Sequence, residues 1–118
     1  MSVVQMEIGR LLAGAERVCH ARNTSLPVAL GKSLFEPCIN GVIFSKAYYL
    51  LDSSHCDYTD EVVKVVFDDV NHMWLLFMPM REGQAEPKWG PYPFLPKSQD
   101  IEIILQEIEK DPHAYFWG

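Results

Sequence analysis

The stretch EVVKVVFDDVNHMWLLFMP, residues 61–79, decides the fold class because it holds the two clearest strand signals in the chain. Glu61–Phe67 and Met73–Pro79 are rich in β-branched, aromatic and other apolar residues, and the five residues between them suit a hairpin connection. Lys64 interrupts one face of the first segment, whereas the second segment is apolar on both faces. A strand of the second kind lies inside a covered sheet or buries one face against a partner.

Helices are predicted on both sides of this hairpin. Apolar residues recur at helical spacing from Val4 to Cys19, which predicts a helix over residues 3–22. A second apolar stripe begins at Ile101 and follows the i, i+3, i+4, i+7 spacing of an amphipathic helix, with Ser98 as its expected N-cap. The chain therefore combines strands with a helix near each end.

Another hairpin is predicted upstream, around Asn40-Gly41. Both central residues of a type I′ turn need positive φ, which Asn and Gly adopt readily, so this dipeptide predicts a two-residue turn. Pro37 would confine the strand before the turn to a sheet edge, and the composition of residues 42–51 favours a strand after it. Asp52–Asp60 is predicted to be a loop because it consists largely of Asp, Ser, His and Thr.

Two aromatic segments follow the second hairpin. Residues 81–98 show no periodicity and are predicted to form a long loop, in which four prolines and two glycines alternate with Trp89, Tyr92 and Phe94. Long loops of compact domains are often functional. Near the C-terminus, Tyr115–Trp117 are three consecutive aromatic residues, which must fold back onto the body or meet another chain.

Together these segments predict a single α+β domain over residues 1–118. Its small antiparallel sheet of three to four strands would pack against an N-terminal and a C-terminal helix. A chain of this length is of ordinary size for one domain and buries enough surface to form a core without disulfides or metal.

The charge is distributed unevenly along the chain. Sixteen acidic and ten basic residues give a formal net charge of −6. Residues 51–118 hold thirteen acids and five bases, a balance of −8, whereas residues 1–50 hold three acids and five bases, a balance of +2. Phosphate binding needs clustered cations, so nucleic acid is not expected as a partner. The acidic second half favours a basic protein, which its field would steer into contact.

The cysteines and the hydropathy pattern indicate in which cellular compartment the protein is expected. Three cysteines, an odd number without CxxC spacing, predict neither a disulfide framework nor a zinc ribbon and fit a reducing cytosol. No signal peptide is recognised, and the longest apolar stretch, Met73–Met80, is too short to span a bilayer. We therefore expect a cytoplasmic protein with no membrane partner.

Two Cys/His dipeptides, Cys19-His20 and His55-Cys56, resemble parts of a metal site or of a nucleophile pair. Adjacent side chains point about 100° apart on a helix and to opposite faces of a strand, so neither dipeptide brings its sulfur and imidazole together. No nucleotide-binding, hydrolase or zinc-protease motif occurs in the chain. We expect no catalytic residue, no metal and no cofactor, and hence no enzyme. A small Cys/His-dependent enzyme or ligand-binding domain stays open as a second alternative.

Residues 52–69 hold six acids and one base, Lys64, and we call them the acidic cluster. This cluster and the aromatic loop lie in the same half of the chain. Aromatic anchors with charged rims are typical of protein–protein interfaces. The sequence predicts a small protein-binding protein that neutralises or regulates a basic partner, in the manner of immunity proteins against toxins or of nuclease inhibitors. The first alternative is a structural or adaptor subunit of a homo-oligomer, for example a homodimer. The expected partner-binding residues are Asp57, Asp60, Glu61, Asp68, Asp69, Trp89, Tyr92 and Phe94.

Overall fold

The fold is a meander of antiparallel strands between two helices. The computed structural model describes residues 3–25, 31–49, 56–80 and 88–117. Its elements are α1 (Val3–Ser25), β1 (Lys32–Cys38), β2 (Gly41–Tyr49), β3 (Cys56–Asp68), β4 (Met73–Met80), β5 (Lys88–Pro91), β6 (Lys97–Ser98) and α2 (Ile101–Lys110). Strands β1 to β5 lie in sequence order, each antiparallel to the next. β6 pairs with Trp74–Leu75 of β4, and β5 with Phe77–Met80.

The α+β class predicted from the sequence is confirmed, but the sheet has six strands in the described residues instead of three to four. The two strands that the pattern missed, β5 and β6, are four and two residues long. They lie within the segment predicted to be a loop, where prolines and glycines obscure any alternation. β3 begins at Cys56, so Asp57 and Asp60 belong to a strand, although their composition predicts a loop.

Both helices pack on one face of the sheet, where the hydrophobic core forms. The core consists of alternate residues of three strands and one stripe of each helix, principally Val42, Phe44, Val63, Val65, Trp74, Leu76, Leu11, Ala15, Val18, Ile104 and Ile108. The two helices meet where Gly14 accommodates the Leu105 side chain, because a Cβ at position 14 would overlap it. The opposite face of the sheet, which we call the outer face, carries half-buried side chains. They include Ile43, Lys64, Val66, Leu75, Phe77 and Trp89.

The turn between β1 and β2 lies one residue earlier than the sequence predicts. Cys38 is opposite Gly41, so Ile39 and Asn40 are the central residues, and of these two only Asn40 has positive φ, at 57°. The turn is therefore not the type I′ turn expected for Asn40-Gly41. Gly41 is required for a different reason, since a Cβ there would overlap the carbonyl oxygen of Val65 on β3.

The edge strand β1 is shielded by α1. The Asn23 side chain accepts a hydrogen bond from the Ser33 N–H at 2.7 Å and donates one to the Ser33 carbonyl at 3.0 Å, as a neighbouring strand would. Pro37 lies farther along β1, at the sheet edge predicted for it, and has no N–H to donate. Both features oppose strand pairing with another chain at this edge.

The helix ends differ slightly from the prediction. α1 continues to Ser25, past the expected end at residue 22. The N-cap of α2 is Asp100 rather than Ser98, because the Asp100 carboxylate accepts the Glu102 N–H at 2.9 Å. The Ser98 hydroxyl instead accepts the Asp100 N–H at 3.1 Å. Neither helix within the described ranges is long and apolar enough to cross a membrane.

Candidate protein-binding site

The acidic residues expected to form one cluster lie at opposite ends of β3. Asp60 and Glu61 stand towards its start, and Asp68 and Asp69 stand at its end. The strand between Asp60 and Asp68 is about 26 Å long at an extended rise per residue. These acids therefore belong to two separate surfaces. Asp57 also lies on β3, but its side chain falls outside the described residues.

A cleft of about 250 Å³ opens where β3 and β4 separate. The β3–β4 pairing of the described residues ends at Lys64 opposite Phe77, and a register shift between β2 and β3 leaves Val62 as an extra, bulged residue. We call this opening the acidic cleft. Its lining residues are Asp60, Glu61, Val62, Pro79, Tyr115 and Phe116. Two of the expected acids thus line one opening with aromatic residues, although these aromatic residues come from the C-terminal tail rather than from the proline-rich loop.

The C-terminal tail, residues 111–117, is held in place by the carboxylate of Asp111. This residue ends α2 in the left-handed conformation, with φ of 43°. Its carboxylate oxygens accept the backbone N–H groups of Tyr115, Phe116 and Trp117 at 2.9 to 3.2 Å. One side chain therefore fixes the path of three consecutive aromatic residues.

Trp117 anchors the end of the tail to the body of the protein. Its indole N–H donates to the Ile108 carbonyl at 2.8 Å, and its own carbonyl accepts a hydrogen bond from the Lys46 ammonium at 2.8 Å. The Arg22 guanidinium lies over its ring, 4.4 Å from the centroid. The tail accordingly folds back, with Phe116 and Trp117 buried and Tyr115 46% exposed at the acidic cleft.

Tyr92 is a core residue rather than a contact residue. Its side chain is fully buried, its ring centroid lies 4.7 Å from that of Phe116, and its hydroxyl donates to the Glu107 carboxylate at 2.7 Å. Burial and the adjacent Glu107 carboxylate raise the pKa of Tyr92. The expectation that Tyr92 binds a partner is therefore corrected. Its ring packs against Phe116 of the tail and is inaccessible to a partner.

Phe94, two residues later in the same loop, is 50% exposed. Its ring stacks on His113, with centroids 3.6 Å apart and planes 13° from parallel, and it lies 5.5 Å from the Tyr115 ring. Phe94, His113 and Tyr115 form a continuous aromatic surface that reaches the acidic cleft through Tyr115. We call these three rings the aromatic rim.

Trp89 lies on the outer face, across the β4–β5 ladder from Pro79. It is half-buried, and the Lys64 ammonium lies 5.9 Å from its ring centroid. Pro79 lines the acidic cleft, so Trp89 borders the site without sharing its aromatic rim.

Asp68 is the last residue of β3, and Asp69 begins the turn to β4. The Asp68 carboxylate accepts hydrogen bonds from the Asn71 side-chain amide at 2.8 Å and from the Val70 N–H at 3.1 Å. These bonds, the one to the Asn71 amide above all, lower the pKa of Asp68. Asp68 therefore shapes its own turn, and Asp69 beside it is exposed.

The two described cysteine side chains have weakly acidic thiols. Burial raises the pKa of Cys19 to about 12 and also raises that of Cys38, so neither is poised as a thiolate at neutral pH. His55 and the side chain of Cys56 fall outside the described residues. In the part of the chain that is described, no group of three or more His, Cys, Asp or Glu residues is arranged to hold a metal ion.

Tyr115 and Pro79 were not expected in the binding site. Three consecutive aromatic residues at 115–117 indicate a buried or interfacial tail, but only the hydrogen bonds to Asp111 decide which ring stays exposed. No local signal reveals that Pro79 and Asp60 border one cleft, because this depends on where the β3–β4 pairing ends.

Comparison with known proteins finds no match among curated proteins and no match among solved structures. A family model does match, and it covers nearly the entire chain, from residue 3 to residue 118. The protein therefore belongs to the family described as a domain of unknown function, DUF3024.

Proposed function

We propose that this protein binds a basic protein partner by receiving a cationic side chain in the acidic cleft. The observation that carries the proposal is that Asp60 and Glu61 line one opening together with Tyr115 and Phe116. Carboxylates and aromatic faces both attract Lys and Arg, and their combination is favoured where water is partly excluded.

The aromatic rim extends this site into a contact surface. Phe94 and Tyr115 are each about half exposed, and the stacked His113 ring holds Phe94 in one orientation. Rigid, exposed aromatic side chains contribute much of the binding energy at protein interfaces because they bury a large area at small entropic cost. The cleft would select a cation, and the rim would contribute apolar contact beside it.

The proposed partner class follows from the charge of the chain. A net charge of −6 favours association with proteins that carry a basic surface, such as nucleic-acid-binding toxins or nucleases. An inhibitor or immunity protein of such a partner would act in the cytoplasm, where the toxin or nuclease meets its target.

The experiment compares two matched variants. Wild type, the double variant Asp60→Asn, Glu61→Gln, and the control double variant Glu16→Gln, Glu36→Gln, which removes two exposed carboxylates elsewhere, are immobilised and exposed to the native cytosolic extract. Retained proteins are quantified by mass spectrometry. The proposal expects basic proteins that wild type and the control variant retain and that the Asp60→Asn, Glu61→Gln variant loses. Tyr115→Ala should weaken the same partner by about tenfold or more in Kd if the ring is a hot spot.

Association kinetics test the electrostatic part of the proposal. Replacing Asp60 and Glu61 by Lys should slow association with the retained partner and flatten its salt dependence, because the attractive charge is reversed. A partner that binds all variants equally, or a set of retained proteins without excess positive charge, would refute the proposal.

A second candidate function is self-assembly through the outer face. That face carries the apolar side chains of Ile43, Val66, Leu75 and Phe77, and both helices pack on the other side of the sheet. Sedimentation of the purified protein distinguishes this candidate, since a homo-oligomer forms without an added partner. Phe77→Ser should then convert the oligomer to monomer.

A further inference from the structure

Two aliphatic side chains project from the end of the sheet opposite to the acidic cleft. Ile39 in the β1–β2 turn is 88% exposed and Val70 in the β3–β4 turn is 86% exposed. Among the large hydrophobic side chains of the described residues, these two are the most exposed. Single exposed aliphatic residues are common on protein surfaces. Here two of them lie in neighbouring turns at the same end of the sheet.

The two turns form one surface. The Phe67 N–H donates to the Asn40 carbonyl at 2.8 Å, which joins the end of β3 directly to the β1–β2 turn. Gly41, directly after the β1–β2 turn, is opposite Val66, and Asp68 at the end of β3 is opposite Met73, so both turns lie at the same end of the sheet. We call residues 39–40 and 68–72 the hairpin end.

The local fold does not need an aliphatic residue at either position. The β1–β2 turn depends on positive φ at Asn40, and the β3–β4 turn depends on the hydrogen bonds of Asp68 and on positive φ at His72. A polar side chain at position 39 or 70 would satisfy the same turns. The two turns by themselves therefore give no reason for an aliphatic residue at position 39 or 70.

Hydrogen bonds and one ring contact hold the β3–β4 turn, which carries Val70, in a fixed arrangement. Asp68 accepts hydrogen bonds from Val70 and Asn71, and the His72 ring lies edge-on against Phe67 at a centroid distance of 6.3 Å. A rigid, preorganised projection loses little entropy on binding. The hairpin end thus presents two exposed apolar side chains on hydrogen-bonded turns.

The charge of the hairpin end indicates which kind of binding partner fits it. The carboxylates of Asp68 and Asp69 flank Val70, so an anionic lipid surface would be repelled. A second copy docked end to end would bring two acidic surfaces together, since residues 39–40 and 68–72 hold two Asp and no Lys or Arg to pair with them. A protein surface with an apolar recess and a basic border complements both features.

We propose that the hairpin end is a protein-docking surface, in which Ile39 and Val70 enter an apolar recess of a partner and Asp68 and Asp69 meet a border of Lys or Arg. The surface is separate from the acidic cleft, and the inference stands whether or not the cleft binds a basic partner. Insertion of hydrophobic anchors within a ring of complementary charges is the usual construction of a compact interface.

The test uses a phage-displayed library of random disulfide-closed peptides, whose loops can surround an aliphatic side chain. They are selected on the wild-type protein with the Ile39→Ser, Val70→Ser double variant as the counter-target. We expect selected peptides in which several apolar residues are bordered by Lys or Arg. Their Kd should rise about tenfold or more in Val70→Ser and should rise in Asp69→Asn at low salt. The Asp60→Asn, Glu61→Gln variant should bind them as wild type does, which separates this inference from the proposed function.

Val3→Ser is the matched control, because Val3 on α1 is also an exposed valine, at 61% exposure. It should leave peptide binding unchanged, and none of these surface variants should shift the thermal midpoint appreciably. Three results would overturn the inference: no selected peptide depends on Val70, or vesicles containing phosphatidylglycerol bind wild type but not Val70→Ser, or sedimentation shows a dimer that Val70→Ser abolishes.

Discussion

The two ends of β3 have the same kind of sequence and are built in different ways. At one end, Asp60 and Glu61 contribute to a cleft whose other walls, Pro79 and Tyr115, are distant in the chain. At the other end, Asp68 closes its own turn through hydrogen bonds to Val70 and Asn71. The acidic cleft therefore depends on remote residues, whereas the hairpin end depends mainly on local ones. Two equally acidic segments of one strand can thus form surfaces that depend on different kinds of contact.

The largest expected effect comes from the ring beneath the tail. Tyr92→Ala removes a fully buried ring and should lower the free energy of unfolding by about 4 kcal/mol. Phe94→Ala, two residues away, removes a half-exposed ring and should cost about 1 kcal/mol or less. Urea denaturation followed by tryptophan fluorescence measures both values. Similar losses for the two variants would contradict the assignment of Tyr92 to the core and Phe94 to the surface.

The next effect separates the two ends of the molecule directly. Asp111→Gly tolerates the left-handed backbone at this position but removes the acceptor of three N–H groups, so it should cost about 2 to 3 kcal/mol and release the tail. Asp111→Asn keeps one acceptor oxygen and should cost less. Differential scanning calorimetry gives the stability change.

Binding measurements on Asp111→Gly show whether the acidic cleft and the hairpin end are independent. Because Tyr115 and Phe116 leave their positions, Asp111→Gly should lose affinity for a partner of the acidic cleft and retain affinity for peptides bound at the hairpin end. Equal loss at both ends would show that the two surfaces are coupled.

The smallest effect is a pH dependence at the hairpin end. The pKa of Asp68 is lowered in the folded protein, so its stabilising contribution is present above the ordinary Asp pKa of about 3.9 and is lost as the pH falls through the folded value. Asp68→Asn should therefore be less stable than wild type at neutral pH, and the difference should vanish in acid. Thermal midpoints across this pH range measure it. Asn71→Ala, which removes the strongest donor to Asp68, should reduce the pH dependence, and an unchanged dependence would contradict this cause.

The extent to which the sequence predicts this structure differs between elements. The helices follow from apolar periodicity, because that periodicity reflects which face is buried. The four longer strands follow from β-branched and aromatic composition and from the turn residues between them. β5 and β6 escape prediction, since strands of four and two residues in a proline-rich segment have no pattern and form only by pairing with β4. The β1–β2 turn was displaced by one residue because Gly41 serves the contact with Val65 rather than the turn.

The candidate sites show the same division. The acids of the second half were identified from composition, but their distribution over two surfaces follows from β3 being a strand across 56–68 rather than beginning after a loop. Tyr92 and Phe94 are indistinguishable in a local pattern, because burial depends on the tail packing over one and not the other. Ile39 and Val70 come to the same end of the sheet only through strand pairing, and there the Phe67 N–H donates to the Asn40 carbonyl.

Sequence alone specifies the α+β class, the amphipathic helices, the central apolar strand and the excess of negative charge, because each depends on the composition or the local order of side chains. Tertiary structure decided which acids share a surface, which aromatic rings stay exposed and where a cleft opens. Those properties depend on contacts between residues far apart in the chain, and the free energy that fixes them comes from burial and pairing that no short segment contains.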